Sequence, residues 1–598
     1  MTERGPGGPI LVAGAPANPF GYYLAEVLRT EGLNAFTVAD ISSVTWSTLT
    51  AHDLVVLGEM PLTSAQVAMF EEWVACGGGL IAMRPDRALA GLLGLVPASS
   101  TLPDGYIRVE TSSPPGAGIT AEALQFHGVA DMYRVADAAT VARLCPDPDT
   151  ATPNPAVTLR GPGPGGGRAA AFAFDLARSV VYTRQGNQSW AGQARGGTRP
   201  IRPHDLFFGA AGFDPRPDWV DLSRVAIPQA DEQQRLLVNL IEHMNLDRKP
   251  LPRFWYFPRG LRSVVVMTGD DHLRGGTAAR FEAYKAAGPV GCSVPDWECV
   301  RATAYVFRRT SLTDAEAAAF TAEGFEVALH VSTRCEDFTG SSLEDIYARQ
   351  LQRWREKYAS LPSPSTNRTH CVVWSDWATQ PEVQLRHGIR LDTTYYYYPA
   401  SWVADRPGFF TGSGIPMRFA ALDGWVIDVY QAATQMTDES GQTYPSTVDA
   451  LLDGALGPKG YYGAFTANMH MDRPASAASD AIVAAARERG VPVVSARQML
   501  DWLDGRDASS FGSLSWSGNT LRFTISVAPG ACGLQAMVPT ASAAGRLTAV
   551  RRSGTPVAHA TEKIKGLEYA LFPAVGGNYE ASYRSYSGSE PPRKERNE

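Results

Sequence analysis

Residues 261–272 read LRSVVVMTGDDH. The apolar and β-branched run from Val264 to Thr268 holds no turn former, so it predicts a short strand covered on both faces, as the parallel strands of α/β proteins are. The strand runs into Asp270 and Asp271. Two adjacent carboxylates at the end of a buried strand are costly unless something neutralises them. Along a strand they point to opposite sides, but a turn past its end can bring both to one opening. A cation there would keep one carboxylate ionised while the other serves as a base. The plainer alternative is a helix N-cap, a position that Asp favours.

Two further strands end in the same manner. FEVALH (325–330) ends on His330, and AFTANMH (464–470) ends on His470, with Asp472 just beyond. In a βα barrel the C-terminal ends of the strands converge on one face. Helical patterns at 312–324, 343–359, 479–490 and 496–505 separate the strands, so residues 246–507 predict a distorted βα barrel. NRTHCVVWSDW (367–377) adds Arg368, His370, Trp374 and Asp376 to the polar and aromatic candidates, and HGIRLDTTYYYYP (387–399) adds Asp392. Strand alternation places two of the four tyrosines on each side, so half of them would face a groove.

Upstream, ILVAGA (10–15), NAFTVAD (34–40), DLVVLGE (53–59) and LIAMR (80–84) predict strands. YYLAEVLRTEG (22–32) and SAQVAMFEEWVACGGG (64–79) predict helices with glycine stops. This alternation predicts a doubly wound parallel sheet with helices on both faces. It returns at AAAFAFDLARSVV (169–181) and DEQQRLLVNLIEHM (231–244), so a first α/β domain is expected over residues 1–245. Residues 100–165 read as a looser stretch rich in Pro, Gly and Thr, and KPLPRFWYFPRG (249–260) reads as a proline-punctuated linker. Downstream, SLSWSGNTLRFTISV (513–527) alternates around Gly518-Asn519, a hairpin signal, and the short strands after it predict a small β-sandwich over residues 508–585. Residues 586–598 read as a disordered tail.

A chain of 598 residues is too long for one core, and 44% apolar with 19% charged residues excludes a wholly disordered polypeptide. A net charge of −7 excludes the electrostatic footprint of a general nucleic-acid binder. No apolar run reaches the roughly 20 residues of a membrane span. MTERGPGGPILVAGAPANPFGYY shows no basic region leading into a long apolar run, so no secretory signal is expected in it. Nothing in the sequence specifies an oligomeric state. The seven cysteines form no CxxC pair, which leaves a zinc ribbon unsupported. Cys292 and Cys299 flank a short segment and could close a small loop. Cys335 and Cys371 each follow a histidine closely and would pair if His330 and His370 share a site. The alternative for all four is buried free thiols. Two disulfides would place the chain in an extracellular or cell-surface setting, and the missing signal makes the cytoplasm the alternative.

In their order along the chain, these pieces resemble the NodB-homology polysaccharide deacetylases, carbohydrate esterase family four in the broad sense. VVVMTGDDH resembles that family's first motif, a strand followed by Thr-Phe-Asp-Asp-Gly. GFEVALHVST resembles the second, HGIRLDTTY the fourth, and ANMHMD with the helices after it the final one. Gly269 stands for the phenylalanine, His272 for the glycine, and Arg334 where the second motif carries another histidine. NRTHCVVWSDW stands roughly where the family has Arg-Pro-Pro. The pattern looks like a divergent branch similar to the galactosaminogalactan deacetylases. The N-terminal stretch resembles the class I glutamine amidotransferase-like fold at ILVAGA, VVLGE, GGGLIAMR and GRAAAFAFDLARS. The nucleophilic cysteine of that fold has no counterpart, since Cys76 precedes the glycine run, which implies a non-catalytic accessory domain.

The resemblance implies a metal-dependent hydrolase that removes N-acetyl groups from a hexosamine-containing polysaccharide. Asp271, His330 and His370 would bind one divalent ion. Zinc is the expected metal for that donor set, with cobalt, nickel and iron as alternatives. In a variant of this scheme water fills the third position and His370 touches substrate. Asp270 would act as general base and His470 as general acid. His272, Arg368, Trp374, Asp376, Asp392 and Asp472 would bind substrate or tune these groups, Asp472 by orienting His470. The partner would be an N-acetylated amino-sugar polymer or oligomer. Two alternatives remain: a deacetylase of a small amino sugar or natural product, and a catalytically inactive carbohydrate-binding protein.

Overall fold

The computed structural model describes residues 4–163, 165–209, 218–273 and 275–585, and the tail expected at 586–598 lies outside the described residues. Five strands of a nine-stranded sheet run parallel: β1 (Ile10–Gly14), β2 (Phe36–Asp40), β3 (Leu54–Leu57), β4 (Gly79–Met83) and β5 (Arg168–Phe172). Their spatial order is β2-β1-β3-β4-β5. Every residue of β1, β3 and β4 is buried, which is why these segments read as unbroken apolar runs. Thr63 and Gln66 close a capping box at the start of the helix Ser64–Ala75 between β3 and β4. Beyond β5 the sheet continues antiparallel through Pro155–Arg160, Ala139–Cys145, Tyr106–Val109 and Leu124–Gln125. The stretch 100–165 is therefore not loose. Its strands are short and broken by Pro and Gly, and several positions are exposed, so periodicity did not reveal them.

A second, ten-stranded sheet is built around β6 (Ser263–Asp271). β7 (Thr303–Val306), β8 (Glu326–Val331), β9 (Thr366–Thr369) and β10 (Leu391–Asp392) follow in parallel on one side. β11 (Thr434–Thr437) and β12 (Gly463–Asn468) lie on the other side, with β12 next to β6. Past β10 the chain bridges Thr434 of β11 at Tyr396, so the sheet curls round and meets itself. Successive residues of β6 serve two cores: Val265 and Met267 pack in one, Val264 and Val266 in the other. The same period of two separates the neighbouring aspartates at the strand's end. A Cβ on Gly269 would lie 2.2 Å from the Met469 carbonyl oxygen, so no larger residue fits there.

The C-terminal strands form two antiparallel sheets that share one core containing Phe523, Met537, Phe572 and Tyr579. One edge strand of the four-stranded sheet is Arg253–Phe254, paired with Gln535–Pro539. The segment expected to be a linker is thus core. Residues 250–258 are buried, and Phe254 stacks on Phe511 with ring centres 4.0 Å apart. The aromatic residues between its prolines were the signal for burial. The first two sheets are also packed together. The Glu26 carboxylate accepts hydrogen bonds from the Arg418 backbone N–H (2.9 Å) and from its Nε (2.8 Å) and Nη2 (2.6 Å). Disulfides join Cys292 to Cys299 and Cys335 to Cys371. Among the described residues no helix is long and apolar enough to cross a membrane.

Candidate active site

The ends of β6, β9, β11 and β12 surround a cavity of about 390 Å³. Asp270, His272, Arg368, His370, Tyr396, Glu439 and His470 contribute to its wall. Asp270 is buried, and its Oδ2 accepts from Arg368 Nε at 2.8 Å and from Asn468 Nδ2 at 3.3 Å. Burial raises the Asp270 carboxyl, but the charged groups around it, the Arg368 guanidinium foremost, together outweigh burial and hold the carboxyl well below the usual carboxylate range. Arg368 is fixed in turn by the Thr393 carbonyl (3.2 Å) and by the Tyr396 ring, 4.4 Å away. Asp270 Oδ1 is buried with no hydrogen-bond partner, an acceptor aimed at a missing donor.

Beside it stand three imidazoles. The ring centres of His272, His330 and His370 are 4.9–5.2 Å apart, and one nitrogen from each lies within 4.8 Å of the others. His330 Nδ1 lies 2.9 Å from the Arg368 carbonyl oxygen, so it carries the proton, and Nε2 faces His370 Nδ1 at 3.2 Å. His272 Nδ1 lies 2.9 Å from Asp472 Oδ2, and the His272 backbone N–H donates to Oδ1 at 2.8 Å. Burial pushes His330 down to about 3. Burial likewise pushes His370 down to about 4. Both rings are therefore neutral near pH 7. Three imidazoles that face one another, two of them anchored through the other nitrogen, fit a divalent cation of borderline softness.

His470 lies on the far side of His272, with ring centres 5.2 Å apart. Its backbone N–H and Nδ1 both bond the Asp438 carboxylate at 2.9 Å. Burial opposes protonation, but the Asp438 hydrogen bond and the Asp270 charge prevail and push the ring up to about 9. His470 is thus a protonated donor at neutral pH, 3.6 Å from Glu439 Oε1 through Nε2.

The structure places several of the sequence candidates elsewhere. Asp271 does not join the cluster. It points outward from β6, where its oxygens accept from Thr277 Oγ1 (2.7 Å), Gly275 N (3.1 Å), Leu273 N and Thr310 Oγ1 (both 3.2 Å). It organises the turn before the helix Thr277–Ala287, whose N-cap is Gly276. His272, expected to bind substrate or tune the site, stands with the metal-ligand candidates. Asp472 orients His272, not His470. Asp392 is fully buried and takes hydrogen bonds from Gln384, Asn367, Thr394 and Gln380, away from the cavity wall. Trp374 packs against Tyr395 and Phe419 in the core, and Asp376 accepts from Thr379 N at the start of a helix. The tyrosines alternate as expected: Tyr396 and Tyr398 line the cavity, while Tyr395 and Tyr397 enter the core.

Sequence reasoning missed Asp438, Glu439 and Arg202. Asp438 directly follows β11, so the strand-end rule that selected His330 and His470 would also have selected it. Arg202 had no signal, because it reaches the cavity from a segment 230 or more residues before His470's partner, held by the Cys371 carbonyl at 3.2 Å.

No protein-family model and no curated protein matches the chain. Solved structures that are similar to it include Agd3, described as a novel carbohydrate deacetylase, at 11% identity over 96% of this chain and 98% of that one, with a TM-score of 0.38. They include a putative polysaccharide deacetylase from Mycobacterium smegmatis, at 16% identity over 43% of this chain and 94% of that one, TM-score 0.28. A β-galactosidase from Bacillus circulans sp. alkalophilus aligns at 12% identity over 41% of this chain, spanning only 33% of the galactosidase, TM-score 0.26.

Proposed function

We propose that the chain is a metal-dependent N-deacetylase acting on hexosamine-containing polysaccharide. The observation that carries this reading is the meeting, at and beside one cavity, of an ionised carboxylate with an oxygen that has no hydrogen-bond partner, three clustered imidazoles and a protonated imidazole. Metal-assisted amide hydrolysis uses a base, a Lewis acid and a proton donor. The ligand set we assign is His272, His330 and His370, with zinc as the expected ion. A divalent cation bound there supplies Lewis acidity to the acetyl carbonyl and makes water more acidic.

The chain's own groups do the rest. Asp270 Oδ1 takes a proton from water, whose oxygen attacks the acetyl carbon, and Arg368 keeps the carboxylate ionised and aimed. His470 gives its proton to the departing nitrogen, which otherwise would leave as an unstable amide anion. Acetate and the free amine result. Asp438 keeps His470 charged, and Asp472 fixes the ring of His272. Tyr396 and Tyr398 offer ring faces and hydroxyls to a sugar, and the sugar class itself comes from the resemblance of the motifs. Two disulfides favour an extracellular or cell-surface location.

The test is acetate release from N-acetylhexosamine oligomers, with and without chelator, for the wild type and Asp270→Asn. Chelator should stop turnover, and Asp270→Asn should lose it while keeping its metal. Release that persists in the chelator or in Asp270→Asn would end the proposal.

A further inference from the structure

We propose that the Cys335–Cys371 disulfide masks a second metal site, a Cys2His set completed by His370. The bridge joins the loops that follow β8 and β9, the two strands that present His330 and His370. The ligating atoms of Cys335, His370 and Cys371 all lie within 4.8 Å of one another. His370 also belongs to the three-histidine group. One imidazole is thus placed between two donor sets, one nitrogenous and one that exists only when the sulfurs are reduced.

Two further observations support a bridge that opens in place. Cys371 lines the cavity, so a small reductant reaches it from solvent. The backbone turns at both ends are left-handed: φ is 62° at Arg334 and 59° at Cys335, then 58° at Cys371 and 46° at Val372. Non-glycine residues adopt such angles only where surrounding contacts hold them there. The Arg202 side chain on the Cys371 carbonyl holds one turn, the Ser332 hydroxyl that accepts from the Arg334 N–H at 3.1 Å holds the other, and neither depends on the sulfurs being joined. The thiols would therefore stay close to His370 after the bond breaks.

The chemistry balances with a dithiol as reductant. Its thiolate attacks one sulfur of the bridge, the S–S bond breaks, and its second thiol closes the reductant's own disulfide. Two electrons pass to the protein, and Cys335 and Cys371 end as thiols. Zinc(II) then displaces both thiol protons to solvent and is held by two thiolates and His370, with one position left open. Thiolates are the softer donors, so this set competes with three imidazoles for the ion and takes their His370. The site stands on the cluster's geometry, whereas its effect on turnover rests on the deacetylase reading.

Cobalt(II) added to the full chain tests this, before and after reduction by a water-soluble phosphine, which also transfers two electrons and leaves as its oxide. The reduced wild type should gain thiolate-to-cobalt absorption in the near ultraviolet, and so should reduced His272→Ala, whose three-histidine set is broken. The oxidised wild type and the reduced Cys335→Ser/Cys371→Ser variant should lack it. Acetate release by the reduced wild type should fall as the band grows. No band in the reduced wild type, or an equal band in the reduced double-serine or His370→Ala chain, would overturn the site. A full band with undiminished acetate release would overturn the competition for His370. A band in a chain that releases no acetate in either state would uphold the site while refuting the deacetylase reading.

Discussion

Replacing Asp438 by Asn should move the alkaline limb of the pH–rate profile. His470 is pushed up to about 9 from an ordinary value of 6.5. The Asp438 hydrogen bond is the largest upward influence, followed by the charges of Asp270, Asp438 and Glu439. The two side chains are 24% and 26% exposed, so water screens part of the pairing. Asn keeps the shape and one acceptor but removes the charge, so the ring should fall by about one to two units. At pH 8 a group titrating at about 9 is roughly 90% protonated, and one titrating at about 7 is roughly 10% protonated. The variant should therefore lose on the order of tenfold in kcat/KM at pH 8 and little at pH 6. The assay is acetate release across pH 5–10 on one N-acetylhexosamine oligomer. A profile lowered uniformly at every pH, or one that keeps the wild-type alkaline limb, would refute His470 as the proton donor held by Asp438.

Other outcomes follow from the packing. Trp374→Ala should cost about 3–5 kcal/mol of stability and leave KM for a short oligomer unchanged. A raised KM with an unchanged melting temperature would return Trp374 to the substrate wall. Glu242 is buried, and burial pushes its carboxyl up to about 8 from 4.5 against the opposing charge of Arg253. Between those values the unfolded chain releases a proton that the folded chain retains, so stability falls as pH rises through that window. Glu242→Gln should raise the melting temperature at pH 8, with a benefit that shrinks toward pH 5. An equal effect at both pH values would contradict this.

Much of the central barrel was legible because its strands are buried on both faces and end abruptly in polar residues. VVVMTGDDH, FEVALH and AFTANMH carry a strong signal, and on one rim they bring Asp270 and His470 to a common cavity, with His330 beside Asp270. The division of labour was less legible. Asp270 and Asp271 are neighbours, and only strand alternation decides which one enters the barrel. The outward one finds four donors in the turn before the next helix, Leu273 N, Gly275 N and both Thr277 N and Oγ1, although the helix itself is capped by Gly276. The pairing of Asp472 with His272 joins residues 200 positions apart, a match that no local pattern encodes. The buried segment at 250–258 was hidden by its prolines, although its aromatics already marked it as core.

The central claim is that three histidines, and not Asp271, hold the ion. The most direct measurement is the zinc content of purified full-length Asp271→Asn and His272→Ala. Asp271→Asn should keep about one zinc per chain with a lowered melting temperature, and His272→Ala should lose it. Zinc lost from Asp271→Asn and kept by His272→Ala, with both chains folded, would contradict the account.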